Sequence, residues 1–252
     1  MEKKAEKFIP ERKKRIKTVA PKLECPMCNS ENIIFEAEVE GYTFEHCLNC
    51  ALVFCPKITT EFLSGLYFDG FHGPEDGAPK SGWSKSVEFL EPAFKRLPQS
   101  RGLKILDFGT GQNRMPEVLR KQGHRVIAVD IVPPLRPHPD RLTGDIMDLE
   151  LQKEQFDLIF SFQVFEHLPK PRPILFELLK LLKPGGLLLI HTDMETPERE
   201  EEGFKHWWYA TPPDHCTFYR NKSFAIFIED QPAEITYKDP KTVIIRKNGR
   251  LK

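Results

Sequence analysis

Ile105-Leu106-Asp107-Phe108-Gly109-Thr110-Gly111 is the stretch on which the fold turns. Lys104 to Phe108 is a short apolar run that ends in two closely spaced glycines. Such a run, bounded by turn residues, reads as a buried strand. Glycines at its end let the backbone approach a ligand with no side chain in the way. The helical stretch that follows has Pro116 near its first turn and Gly123 after its last, the usual asymmetry of helix ends. Free N–H groups at its start are available to a ligand.

Working outward, Arg125 to Asp130 and Asp157 to Phe162 are further apolar runs. Pro171 to Leu182 places Ile174, Leu175, Leu178, Leu179 and Leu182 on one helical face. Pro184-Gly185-Gly186 is expected to turn the chain into a strand at Leu187 to His191. Ser223 to Ile228 reads as helix, and Ala233 to Tyr237 with Thr242 to Arg246 as a final strand pair. Strands alternating with helices predict an α/β fold, a mainly parallel sheet covered on both faces. Ligands of such sheets sit outside the carboxyl ends of the strands. Asp130, nineteen residues after Gly111, ends the second run, where a carboxylate can accept both ribose hydroxyls of a nucleoside. The dinucleotide pattern G-x-G-x-x-G fails at Arg114.

These segments resemble the class I methyltransferases that use S-adenosylmethionine (SAM). Ile105 to Gly111 looks like their first motif and Val126 to Asp130 like their second. Gly144-Asp145-Ile146 resembles their adenine site. Phe156 to Ser161 with Val164-Phe165-Glu166-His167-Leu168 is similar to their fourth-strand motif. Leu182-Lys183-Pro184-Gly185-Gly186 resembles the turn before their fifth strand. The resemblance covers roughly residues 84–247. It implies a Rossmann-like fold with a mainly parallel seven-stranded sheet. By the same resemblance Gly109 and Gly111 line the methionine and ribose, and Asp107 orients the methionine amine. Asp130, with Ile131 beside it, holds the ribose. Asp145 and Ile146 frame the adenine, and Phe162 and Gln163 sit near the donor methyl. Where the family often has a third glycine, this chain has Asn113, a residue tolerant of positive φ.

Cys25-Pro-Met-Cys28 and Cys47-Leu-Asn-Cys50 are separated by 18 residues. Two such turns can aim four thiolates at one ion and close a tetrahedral structural site. Zinc is the expected metal, with iron in a rubredoxin-like site and a vestigial site as alternatives. Cys55 reads as a small buried apolar residue, and His46 is expected to be exposed. Asn29 and Ala51 stand where many zinc knuckles have glycine. The segment ending Cys50-Ala51-Leu52-Val53-Phe54-Cys55-Pro56 looks like the zinc-ribbon head of a bacterial and archaeal subset of SAM methyltransferases. That subset includes C-methyltransferases of nucleotide-linked deoxysugars.

His206-Trp207-Trp208-Tyr209-Ala210-Thr211-Pro212-Pro213-Asp214-His215-Cys216-Thr217-Phe218-Tyr219 follows the fifth strand and is expected to hang over the carboxyl edge, where loops carry function. Methyl transfer needs an aligned acceptor and, for a hydroxyl or carbon acid, removal of a proton. Histidine titrates in the right range. His215 is the first candidate base and His167 the second. Asp214-His215 resembles the acid–histidine pair of the sugar C-methyltransferases, and Tyr209 and Tyr219 are candidates to orient the acceptor.

The 252 residues are 40% hydrophobic with formal net charge +0, enough for a packed core. The expected organisation is a basic flexible tail (1–22, with nine Lys or Arg), a zinc-binding module (23–58), a helical connector and cap (59–100) and the methyltransferase domain (101–252). No apolar run is long enough to span a membrane and the charged N-terminus is no secretory signal. A cytoplasmic protein is expected, which favours metal over disulfides for the cysteines. The leading expectation is methylation of a small molecule, a sugar or other hydroxylated metabolite. The alternatives are an RNA or protein methyltransferase gripping its substrate through the zinc module and basic tail, and a non-catalytic SAM-fold partner protein.

Overall fold

The computed structural model describes residues 22–68, 87–135 and 137–249. The basic tail apart from Lys22 and residues 69–86 of the expected connector and cap lie outside the described residues.

Three antiparallel strands come first: β1 (Ile33–Val39), β2 (Tyr42–Cys47) and β3 (Val53–Phe54). Helix α1 (Thr60–Phe68) follows. A 3-10 turn at Val87–Leu90 runs into α2 (Glu91–Phe94). Then come β4 (Lys104–Phe108), α3 (Met115–Lys121), β5 (Arg125–Asp130), β6 (Arg141–Thr143), β7 (Phe156–Phe162), α4 (Pro171–Leu181) and β8 (Leu182–His191). Helix α5 (Pro197–Glu202), strand β9 (Thr217–Phe218), helix α6 (Asn221–Ile228) and strands β10 (Ala233–Lys238) and β11 (Thr242–Lys247) complete the chain.

The main sheet has seven strands in the order β10-β11-β8-β7-β4-β5-β6. Strands β8, β7, β4, β5 and β6 are parallel, whereas β11 and β10 are antiparallel. Both faces are covered, and alternation within each strand explains the unbroken apolar runs. Leu106, Ile159, Leu188 and Ile190 pack against Leu175, Leu178 and Leu179 of α4 and Phe224 and Phe227 of α6. Ile105, Leu158, Phe160, Leu187 and Leu189 pack on the opposite face against Leu90, Ala93, Met115 and Leu119.

One local expectation changes. Pro184-Gly185-Gly186 is a bulge inside β8: Phe156 pairs with Leu182 and Leu158 with Leu187. A Cβ on Gly186 would lie 2.9 Å from the Lys183 carbonyl, so the bulge needs glycine there. The cysteine-bearing module is packed onto the rest of the chain. Its sheet, β1-β2-β3-β9, takes its fourth strand from residues 217–218. Cys25, Met27, Cys47, Cys50 and Leu52 share a core with Tyr219, Phe224 and Phe227. Arg172 Nη1 donates to the Met27 carbonyl (3.0 Å) and Ser223 Oγ to the Cys50 carbonyl (2.9 Å).

Candidate functional site

At the carboxyl end of β4 the chain doubles back tightly. Gly109 and Thr110 both donate their N–H to the Val129 carbonyl (2.9 and 3.1 Å). Gly109 has φ +76, and a Cβ there would meet Val164 Cγ2 at 2.2 Å. Gly109→Ala is therefore expected to destabilise the protein by about 2–4 kcal/mol, summing backbone strain and overpacking. An unchanged thermal midpoint would refute that geometry. Asp107 is buried beneath the turn and accepts a 2.9 Å hydrogen bond from Thr110 Oγ1. Burial pushes its carboxyl up to about 7, against the Thr110 hydrogen bond and the charge of Arg141.

Asp130 ends β5 with both oxygens engaged. Oδ2 accepts from Gly111 N (2.7 Å) and Oδ1 from Val132 N (2.9 Å). Burial raises its pKa as well. Ile131 follows, half-buried. Asp145 Oδ1 caps the Met147 N–H (2.9 Å), and Ile146 joins the core. Phe162 turns to the α2 face, stacked on His191 (4.8 Å, 2°) and against Phe89. Gln163, at φ +54, stays on the other side of the strand end and accepts the Tyr209 hydroxyl (2.8 Å).

Asn113 does not use the left-handed conformation expected of it. Among the described residues the non-glycine positions with positive φ are Asn29, Glu40, Ala51, Glu154 and Gln163. The Asn113 side chain instead braces the turn: Oδ1 accepts from Met115 N (2.8 Å) and Nδ2 donates to the Thr110 carbonyl. Arg141, which the sequence did not single out, clamps the same loop. It donates to the carbonyls of Gly111 (3.2 Å) and Asn113 and lies 3.3 Å from Glu117.

The Trp207–Tyr219 segment arches over the carboxyl end of β7. Asp214 partners His167 rather than its neighbour His215. His167 Nδ1 lies 3.0 Å from both Asp214 Oδ1 and the Asp214 carbonyl, and Tyr67 of α1 donates its hydroxyl to Oδ1 (2.7 Å). His215 Nδ1 instead donates to the Tyr209 carbonyl (2.6 Å). The two imidazole centroids are 4.8 Å apart, in opposite electrostatic settings. Burial opposes a charge on His167, but the Asp214 hydrogen bond and the charges of Glu166 and Asp214 outweigh it and raise its pKa. Burial and the His167 charge together lower that of His215. Glu166 is fully buried, with Oε2 accepting from Thr192 Oγ1 (2.9 Å). The Tyr209 hydroxyl, 3.2 Å from Thr192 Oγ1, extends this polar floor. Tyr219 does not face the acceptor side. It is buried, stacked on Phe224, and donates to the Phe165 carbonyl (2.9 Å).

In the N-terminal segment, Cys25, Cys28, Cys47 and Cys50 bring their sulfurs within 4.8 Å of one another. The Cys25–Cys50 and Cys28–Cys47 separations are 3.5 Å, near the roughly 3.8 Å that a tetrahedral ion with ~2.3 Å bonds requires. Asn29 and Ala51 adopt φ 59 and 60 and close matching turns onto the Cys25 and Cys47 carbonyls (2.9 and 2.7 Å). Knuckle geometry is reached without glycine. Cys55 is buried apart from this cluster. His46 is not exposed: its side chain is 13% accessible and its Nδ1 lies 3.0 Å from Glu36 Oε2, because residue 46 pairs into β1.

A family model described as a methyltransferase domain matches residues 82–231, more than half of the chain. The chain belongs to this methyltransferase family. Among curated proteins, the ubiquinone biosynthesis O-methyltransferase of Xylella fastidiosa (strain 9a5c) is 37% identical over 138 residues, covering 48% of this chain and 52% of that protein. The mitochondrial enzyme of the same name from Schizosaccharomyces pombe (strain 972 / ATCC 24843) is 28% identical over 127 residues, covering 45% of this chain and 46% of that protein. The chain thus spans about half the length of the curated relatives it matches. The fold is shared with the Burkholderia thailandensis 1,6-didemethyltoxoflavin-N1-methyltransferase, solved with its substrate and S-adenosylhomocysteine. That superposition has TM-score 0.55 at 16% identity and covers 81% of this chain and 99% of that one. The architecture of this methyltransferase chain is accordingly the class I Rossmann-like fold, preceded by a zinc-ribbon-like cysteine module. No helix among the described residues is long and apolar enough to cross a membrane.

Proposed function

We propose that this methyltransferase transfers the methyl group of SAM to an oxygen of a small hydroxylated molecule. The reading is carried by one observation: the glycine turn, Asp130 and the polar floor of Glu166, His167, Tyr209 and His215 converge at the carboxyl edge of β4, β5 and β7. That is where this kind of sheet places its ligand. In this reading Gly109 and Gly111 lie along the methionine and ribose and Asp107 faces the methionine amine. Asp130 and Ile131 hold the ribose, Asp145 and Ile146 frame the adenine, and Gln163 borders the donor methyl. Phe162 supports that edge from the far face. His215 and His167, set in place by Tyr209 and Asp214, line the acceptor side and promote loss of the acceptor's proton. The O-methyltransferase names of the relatives support oxygen as the acceptor atom. The four cysteines hold zinc as a structural ion, since a closed four-sulfur set leaves no position for substrate.

Calorimetric titration of metal-loaded protein with SAM and S-adenosylhomocysteine tests the cofactor. Micromolar binding, on the order of 8 kcal/mol, is expected. No binding by folded protein would overturn the proposal. The same titration has a pH signature. Below about pH 7 Asp107 is protonated in the free protein, whereas the methionine ammonium favours its carboxylate, so binding expels a proton. Affinity is expected to fall with decreasing pH below 7, by up to about tenfold per unit. Asp107→Asn should flatten that profile; a slope that survives the substitution argues against the placement of the amine.

A further inference from the structure

The fold brings His215 to the consecutive pair Glu166 and His167. One ligand atom from each lies within 4.8 Å of the other two. Glu166 is fully buried, and its Oε1 has no hydrogen-bond partner. A buried carboxylate oxygen left this way is costly unless something positive meets it. It points toward His167 Nε2, 3.9 Å away. Each imidazole is tied by its Nδ1 to an oxygen, His167 to Asp214 and His215 to the Tyr209 carbonyl. Oriented imidazoles of this kind, each donating its other N–H to a carboxylate or carbonyl, are the usual setting of metal-ligating histidines. The second Glu166 oxygen is likewise held by Thr192.

We propose that Glu166, His167 and His215 bind a divalent first-row cation at the acceptor edge, separate from the four-cysteine site. Two imidazoles and one carboxylate suit zinc, manganese or iron(II). Three protein ligands leave positions open, which is the mark of a working site rather than a structural one. Bonds of ~2.1 Å put neighbouring ligand atoms about 3.0–3.4 Å apart, so separations of up to 4.8 Å close by at most about 1.4–1.8 Å around the ion, within reach of side-chain torsions. A cation there would lower the pKa of a hydroxyl placed in an open position, its proton leaving to water. The proposal rests on the reading of this edge as the acceptor site.

The test uses the full chain with its four-cysteine site loaded with zinc. Manganese(II) binding is followed by electron paramagnetic resonance, and S-adenosylhomocysteine binding by calorimetry on the same samples. The expected result is about one equivalent of bound manganese, weakened at least about tenfold in Glu166→Gln and in His215→Asn, with S-adenosylhomocysteine affinity retained in both. His215→Asn, at a half-buried position, keeps the test decisive if Glu166→Gln fails to fold. Absence of manganese binding, or binding indifferent to either substitution, overturns the metal site. If S-adenosylhomocysteine still binds in that case, the methyltransferase reading stands and His215 acts on the acceptor directly. If neither binds, both proposals fall.

Discussion

Asp130→Ala is expected to weaken SAM binding by about 10- to 150-fold while the protein stays folded. The carboxylate does two jobs at once. Through Oδ2 it holds the Gly111 N–H at 2.7 Å and through Oδ1 the Val132 N–H at 2.9 Å, so it shapes the turn the cofactor would lie on. Each oxygen keeps a further lone pair for a ribose hydroxyl. A hydrogen bond to a charged group contributes about 1.5–3 kcal/mol, which sets the quoted range. The folding cost should stay local, because the loss is of two backbone hydrogen bonds in the turn and is partly offset by removing a carboxylate that burial disfavours in its ionised form. Asp130→Asn, which keeps one acceptor oxygen and the shape, should fall between. Calorimetry and a thermal melt on the three proteins decide the matter. Unchanged affinity in the alanine variant would remove the ribose from this position.

Cys25→Ser is expected to release the metal and to loosen two regions far apart in the chain. A structural zinc site contributes folding energy directly, about 10–16 kcal/mol of binding in isolated zinc-finger peptides. Here the four sulfurs are packed into the core beneath α4 and α6, and β3 of the same sheet pairs with β9. Phe44 of β2 packs against both Phe204 and Phe218. Losing the ion should therefore raise hydrogen exchange across residues 23–58 and across 204–219, the segment that carries Tyr209, Asp214 and His215. Strands β4 and β5 belong to the seven-stranded sheet and not to the β1-β2-β3-β9 sheet, so S-adenosylhomocysteine binding should survive. Full metal retention would refute the four-cysteine site. Deprotection confined to residues 23–58 would refute the coupling to the acceptor segment.

Much of this architecture is legible in the residues. Ile105-Leu106 and Leu187 to Ile190 are apolar at every position because both faces of the sheet are covered. The glycines at 109 and 111 announce a turn that side chains could not follow. The CxxC spacing announces four converging sulfurs. Other features leave no local signal. Asn113 braces its turn with its amide, an outcome that its tolerance of positive φ does not predict. Glu166 reads as one acid in a fourth-strand motif, and its burial follows from the packing of the Trp207–Tyr219 segment against it.

By itself, the sequence determined the periodicities, the tight turns and the metal-ligand spacing, because each depends on backbone geometry within a few residues. Only the tertiary structure decided that Asp214 serves His167, that Tyr67 reaches it from 147 residues away and that Thr217–Phe218 completes the cysteine module's sheet. Those pairings come from the packing of α1, β3 and the Trp207–Tyr219 segment on one edge. Contact there depends on three-dimensional closure, which no local pattern of residues encodes.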